Sequence, residues 1–231
     1  MGMNESQWLE CKSITLPVMR WLRKHGSDRK FYLAAVASLR QVEHLLTEPA
    51  SRAAIDVAER FADGQATLAE MHVARDGAVT AKFSGQVGYA TKEEIKRQYA
   101  CMAAWYVATP HDQAPAPKNG PRGIWLAAYN AIDNATNAGN PRETRPRHAG
   151  LMRDIIGNPF QPVKVDPAWL TSNVVALATA IYEQRAFERM PILADALEDA
   201  GCTNAEILEH CRGGREHVRG CWVVDLLLGK E

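Results

Sequence analysis

Helix-capping signals recur along this chain and limit its fold more than any other feature. Asn4-Glu5-Ser6-Gln7, Thr67-Leu68-Ala69-Glu70, Thr91-Lys92-Glu93-Glu94 and Thr203-Asn204-Ala205-Glu206 each set an N-cap oxygen three residues before a Glu or Gln. That spacing lets two orphan donors at a helix start be satisfied reciprocally. Ser27-Asp28 and Thr171 open further helices, and Pro17 and Pro191 suit first-turn positions. Glycines follow as stops at Gly26, Gly64, Gly139, Gly201, Gly213-Gly214 and Gly229. Between the signals, apolar residues recur at helical spacing, as in Ala54, Ile55, Val57, Ala58 and Phe61. No period-two run and no internal repeat interrupts the pattern. The expected fold is all-α, an irregular multi-helix array of short capped helices.

Interruptions divide the array. The segment from Asp28 to Leu46 reads as one long helix ended by Glu48-Pro49, and the helix opened by Thr67 reads to about Arg75. From Asp76 to Ala90 the periodicity lapses, and Asp76-Gly77 is a turn signal, so a loop or small hairpin is expected. Thr109 to Pro121 holds four prolines with Asn119-Gly120, a Pro-rich central loop. A helix from about Arg122 to Ala138 follows, then a Pro/Arg-rich join from Pro141 to His148. The expected organisation is residues 1–108 as an N-terminal helical part, 109–150 as loop and bridging helix, and 151–231 as a C-terminal helical part, the whole forming separate parts or one continuous domain. The six tryptophans, about one per helix, read as core anchors.

Composition excludes several classes. Over 231 residues, Lys+Arg is 27 and Asp+Glu is 27, so the cationic excess behind bulk nucleic-acid or membrane-surface binding is missing. No apolar run approaches the roughly 18 to 20 residues of a membrane span. Glu5, Trp8, Glu10 and Pro17 stand where a signal-peptide core would be, and a cytoplasmic protein is expected. Gly2 with Ser6 matches the bare myristoylation pattern, but no polybasic second anchor follows. Phosphate-loop, Rossmann, zincin, zinc-deaminase, nucleophile-elbow and di-iron patterns are all absent.

One cluster carries chemistry. Five cysteines are an odd count without a secreted disulfide framework, so reduced thiols are the default. Cys202, His210, Cys211, His217 and Cys221 gather in the last thirty residues, and thiolate with imidazole is the donor set zinc prefers. No cofactor is the expectation, and zinc is the one alternative the sequence brings into view. Against it, no Cys-x-x-Cys clip is present, and the adjacent His210 and Cys211 diverge by about 100° on a helix. Burial of Cys202, Cys211 and Cys221 as small hydrophobes is the commoner fate of free cysteines. His217 and Cys221 would form a nucleophilic pair if a helix began at Val218, its N-terminus lowering the thiol pKa. Arg212 and Arg219 are candidate anion contacts, or pins between helices and carboxylates.

Several segments also resemble a known family. Ser27-Asp28-Arg29-Lys30, Ala58-Glu59-Arg60-Phe61-Ala62-Asp63-Gly64, Arg153-Asp154-Ile155-Ile156-Gly157-Asn158-Pro159-Phe160, Pro191-Ile192-Leu193-Ala194-Asp195-Ala196-Leu197 and His217-Val218-Arg219-Gly220-Cys221-Trp222-Val223-Val224-Asp225-Leu226-Leu227 resemble an uncharacterised family of paralogous helical proteins of planctomycete-type bacteria. The resemblance implies no activity. Many of its members carry a cysteine-rich stretch in the helix corresponding to Phe31–His44, where this chain reads Leu33-Ala34-Ala35-Val36-Ala37-Ser38, so no thiol or metal role transfers there.

Three functions follow as expectations. The first is an intracellular helical binding or adaptor protein for an unidentified protein or small-molecule partner, with Arg212, Arg219 and the Pro-rich loop as contact features. The second is a metal- or cysteine-dependent enzyme built on the C-terminal Cys/His cluster. The third is a cofactor-free enzyme with a charged groove between the helical parts.

Overall fold

The caps act nearly everywhere the sequence places them. In the computed structural model, which describes residues 2–83, 91–113 and 123–230, with 79–83 by backbone alone, Asn4, Thr67 and Thr91 close reciprocal boxes with Gln7, Glu70 and Glu94. Ser27 and Thr171 accept from the Lys30 and Val174 amides. The described residues form twelve α-helices and no strand, the all-α array that the sequence predicts. None of these helices is long and apolar enough to cross a membrane.

Two compact units divide the chain, Met1–Gly150 and Leu151–Glu231. The first holds α1 (Glu5–Leu9), α2 (Leu16–Leu22), α3 (Asp28–Arg40), α4 (Pro49–Ala62), α5 (Leu68–Phe83), α6 (Lys92–Val107), α7 (Ile124–Ala138) and most of α8 (Pro141–Ile156). Its centre is α3, buried at every residue from Phe31 to Leu39 and packed on α4, α6 and α7. A helix apolar all round is stable only when surrounded, and the alanines at 34, 35 and 37 let neighbours approach. The second unit holds the end of α8 with α9 (Ser172–Gln184), α10 (Met190–Asp199), α11 (Ala205–Arg212) and α12 (Trp222–Leu228). They close over an apolar cluster that includes Val174, Ile181, Leu193, Leu197, Ile207 and Val224. As expected of its apolar run, α12 buries Val223, Val224 and Leu227.

Local signals fail at four places. The long helix from Asp28 ends at Arg40, and Glu43–Leu45 forms a separate 3-10 turn. The loop or small hairpin expected from Asp76 onward is instead, as far as Phe83, the second half of α5; the remainder of that stretch, 84–90, lies outside the described residues. A glycine inside a nucleated helix costs only about 1 kcal/mol relative to alanine, and a Cβ at Gly77 would stand 3.4 Å from that of Ala50, so Gly77 sits at the close approach of α5 to α4. Asn204, one residue beyond the expected Thr203, caps α11 by accepting from the Ile207 amide. Of the Pro-rich central stretch, His111–Gln113 forms a 3-10 turn, and 114–122 lies outside the described residues. Of the tryptophans, only Trp8 and Trp125 are buried, and the others are half-buried.

The Pro/Arg-rich join is the fourth correction: Pro141–His148 is the first half of α8. Asn140 starts it, its carbonyl accepting from the Glu143 and Thr144 amides at 2.9 Å and its Oδ1 from Arg142 at 3.2 Å. Pro141 follows in the first turn, where a missing N–H leaves nothing unpaired. Pro146 lies inside the helix and deletes the donor that would reach the Arg142 carbonyl. Pro146→Ala restores that donor, so it is expected to raise the unfolding free energy by up to about 3 kcal/mol. Urea denaturation measures this, and an unchanged or lower midpoint is the contrary result.

Candidate metal centre

Three separate stretches of the second unit deliver polar side chains to one buried point. Asp154 lies in the last turn of α8 with its side chain fully buried. His210 comes from the last turn of α11, His217 from the non-helical connector after Gly213-Gly214, and Cys221 is the N-cap of α12. His217 and Cys221 are four residues apart, yet no helix begins at Val218; the connector turns through Gly220 at φ +94°. Gly157 ends α8 at φ +74°, where a Cβ would come within 3.1 Å of the Trp222 ring. Glycine there serves both the left-handed backbone and the close approach.

The contacts form a single network. Asp154 Oδ1 lies 3.1 Å from His210 Nε2 and 2.6 Å from His217 Nδ1, while Oδ2 accepts the Val218 amide at 2.9 Å. Cys221 Sγ lies 3.2 Å from His210 Nε2 and 3.8 Å from His217 Nδ1. The Trp222 indole N–H donates to His210 Nδ1 at 3.0 Å.

Donor and acceptor rules assign the protons. An indole N–H only donates, so His210 Nδ1 offers a lone pair and the neutral ring carries its proton on Nε2, facing Asp154. A carboxylate only accepts, so His217 Nδ1 donates to Asp154. His217 Nε2 is then buried with no hydrogen-bond partner among the described residues.

Burial sets the charges. Burial by itself would push the Asp154 carboxyl up, but the hydrogen bonds and charge of His210 and His217 hold it below its ordinary value. Burial pushes the His210 imidazole down despite Asp154. Burial and the Asp154 charge hold the Cys221 thiol well above its ordinary value, against the amides of Val223 and Val224. The lowered thiol expected from a helix N-terminus is therefore overturned: two amides do not offset complete burial. A protonated thiol with no solvent exposure is a poor nucleophile.

The structure thus brings together three of the sequence candidates, His210, His217 and Cys221, and adds Asp154. It separates Cys202 and Cys211, which are buried in the apolar cluster; burial pushes the Cys211 thiol up to about 12. The divergence of adjacent side chains on α11 sends His210 to the site and Cys211 to the core. Asp154 lies 63 residues before His217. Its signal in the sequence was a lone carboxylate inside the apolar run Leu151-Met152-Arg153-Asp154-Ile155-Ile156. Trp222 packs against the apolar cluster and also joins the site through its N–H.

Arg212 and Arg219 both hold the unit's own elements. The exposed Arg212 guanidinium pairs with Asp195 at 2.6 Å and with Glu198, both on α10. The Arg219 guanidinium lies 4.5 Å from the ring centroid of Tyr182 on α9.

The group is able to hold a metal ion. Asp154, His210, His217 and Cys221 offer four donor atoms that all lie within 4.8 Å of one another. Ligands about 2.0–2.3 Å from a tetrahedral centre stand about 3.3–3.8 Å apart, and three of the four separations above fall within about 0.2 Å of that range. The His217–Asp154 hydrogen bond, at 2.6 Å, has to open, and the donor set, which spans up to 4.8 Å, has to draw in. Comparison with family models, with curated proteins and with solved structures finds no match for this chain.

The charge states make the metal-free site acid-labile in two stages. His210 is depressed, so the unfolded ring binds a proton below about pH 6.5 while the folded one does not. Stability is then lost as pH falls through that value. Asp154 is depressed too; its contribution is whole above about pH 3.9 and is lost as pH falls toward its folded value. Urea midpoints of chelator-treated protein, followed by hydrogen exchange of the α12 amides, are expected to fall from pH 8 to 5 and again toward pH 3. His210→Gln should remove the first stage alone. A midpoint flat from pH 8 to 4 contradicts the assignment.

Proposed function

We propose that the C-terminal unit is a metal-binding module that takes one zinc-class divalent ion through Asp154 Oδ1, His210 Nε2, His217 Nδ1 and Cys221 Sγ. The carrying observation is the convergence of four buried donors from three stretches of chain on one point. One sulfur, two imidazole nitrogens and one oxygen suit a borderline-soft ion and disfavour calcium or magnesium, which take oxygen ligands.

Four protein ligands close the coordination sphere, which makes the ion structural. It would tie the non-helical connector to α8 and α12 in a unit small enough for such a staple to matter. A closed centre and a buried thiol favour a helical binding or adaptor protein over metal- or cysteine-dependent catalysis.

His217→Asn is the discriminating variant. The Asn amide reproduces the donor that His217 Nδ1 gives to Asp154 and is no metal ligand. Elemental analysis of purified protein is expected to find one zinc per chain, lost in His217→Asn and Cys221→Ser, with chelator lowering the thermal midpoint of wild type only. Metal-free wild type, insensitive to chelator and as stable as His217→Asn, sinks the proposal.

A further inference from the structure

Trp222 stands between the two protonation patterns open to His210. With the indole N–H donating to Nδ1 at 3.0 Å, the imidazole proton is confined to Nε2, and Nε2 is the nitrogen that faces Asp154 and Cys221. A protonated nitrogen has no lone pair for a metal. Metal-ligating histidines instead donate their other ring N–H to an acceptor, and an indole N–H cannot accept.

We infer that Trp222 gates metal loading: its indole holds His210 in the tautomer that refuses the ion, and loading requires the indole to leave Nδ1. This rests on the reading of the four-residue cluster as a metal centre. As the ion binds, the His210 Nε2 proton is replaced by the metal bond and Nδ1 takes up a proton, leaving the ring neutral. At His217 the Nδ1 proton that bonds Asp154 is likewise replaced by the metal bond and Nε2 takes up a proton, leaving that ring neutral too, while the Cys221 thiol gives its proton to solvent and the thiolate binds the ion. Nδ1–H and the indole N–H then face each other as two donors, so the indole swings away.

Trp222 is half-buried and opens α12, packing edge-on to His210 with ring centroids 5.0 Å apart. Beneath it lies Gly157, whose missing Cβ leaves the ring its place. Trp222 is thus a positioning residue that acts through His210.

Trp222→Phe keeps a ring in place and deletes the donor. Zinc affinity, measured by competition with a chromophoric chelator, is expected to tighten about three- to tenfold in Trp222→Phe, the range of one neutral hydrogen bond. Long-range proton–nitrogen correlation spectra of wild type should show His210 as the Nε2–H tautomer without metal and as Nδ1–H with zinc. Zinc binding by wild type with equal or weaker affinity in Trp222→Phe, or an Nδ1–H tautomer before loading, overturns the gate and leaves the metal centre standing. If the wild-type protein takes no zinc, the centre and the gate fall together.

Discussion

A carboxylate removed from solvent must find its partners inside the protein, and the second unit is arranged around that requirement at Asp154. One oxygen takes the Val218 amide and the other takes both imidazoles. The apolar cluster of α9 to α12 drives collapse but is non-directional; it does not determine where a stretch without helix should run. Asp154 does, because its donors come from α11 and from the connector between α11 and α12. Removing one partner of such a buried group leaves an uncompensated charge, typically worth about 3–5 kcal/mol.

The same burial limits the chemistry. Cys221 lies next to two histidines and a carboxylate, the residue types of a thiol protease, yet the absence of solvent around it and the nearby Asp154 charge keep its proton on. A metal ion reverses this, since a coordinated thiol is deprotonated outright. Residues that make a weak nucleophile are therefore a competent ligand set. The Trp222 indole adds a competing claim on His210, so on the proposed reading the site stands between a closed hydrogen-bond network and a closed coordination sphere.

What the sequence made legible was local. Caps at Asn4, Ser27, Thr67, Thr91 and Thr171 and the apolar all-round reading of α12 depend on residues within one or two turns of each other, and the fold class followed from them. Gly77 and Pro146 were misleading because an isolated breaker loses to a helix already nucleated and packed on both sides of it. The site was half legible for the same reason. His210, His217 and Cys221 are close in sequence, and the divergence of His210 from Cys211 is simple helix geometry. Asp154 is brought to them by tertiary folding, and Trp222 looked like any other core anchor until its N–H was placed.

The clearest physical asymmetry in the network is at His217. Its Nδ1 satisfies Asp154, but its Nε2 is buried with no hydrogen-bond partner among the described residues, a condition that costs about 1–3 kcal/mol. An asparagine would present the same donor to the same oxygen without burying a second nitrogen. What imidazole offers that an amide cannot is a lone pair at Nδ1 once the proton is displaced, directed at the point that Asp154, His210 and Cys221 share. Nε2 stays buried without a partner whether or not Nδ1 holds an ion, so what favours a metal centre is the Nδ1 lone pair together with the convergence of the four donors.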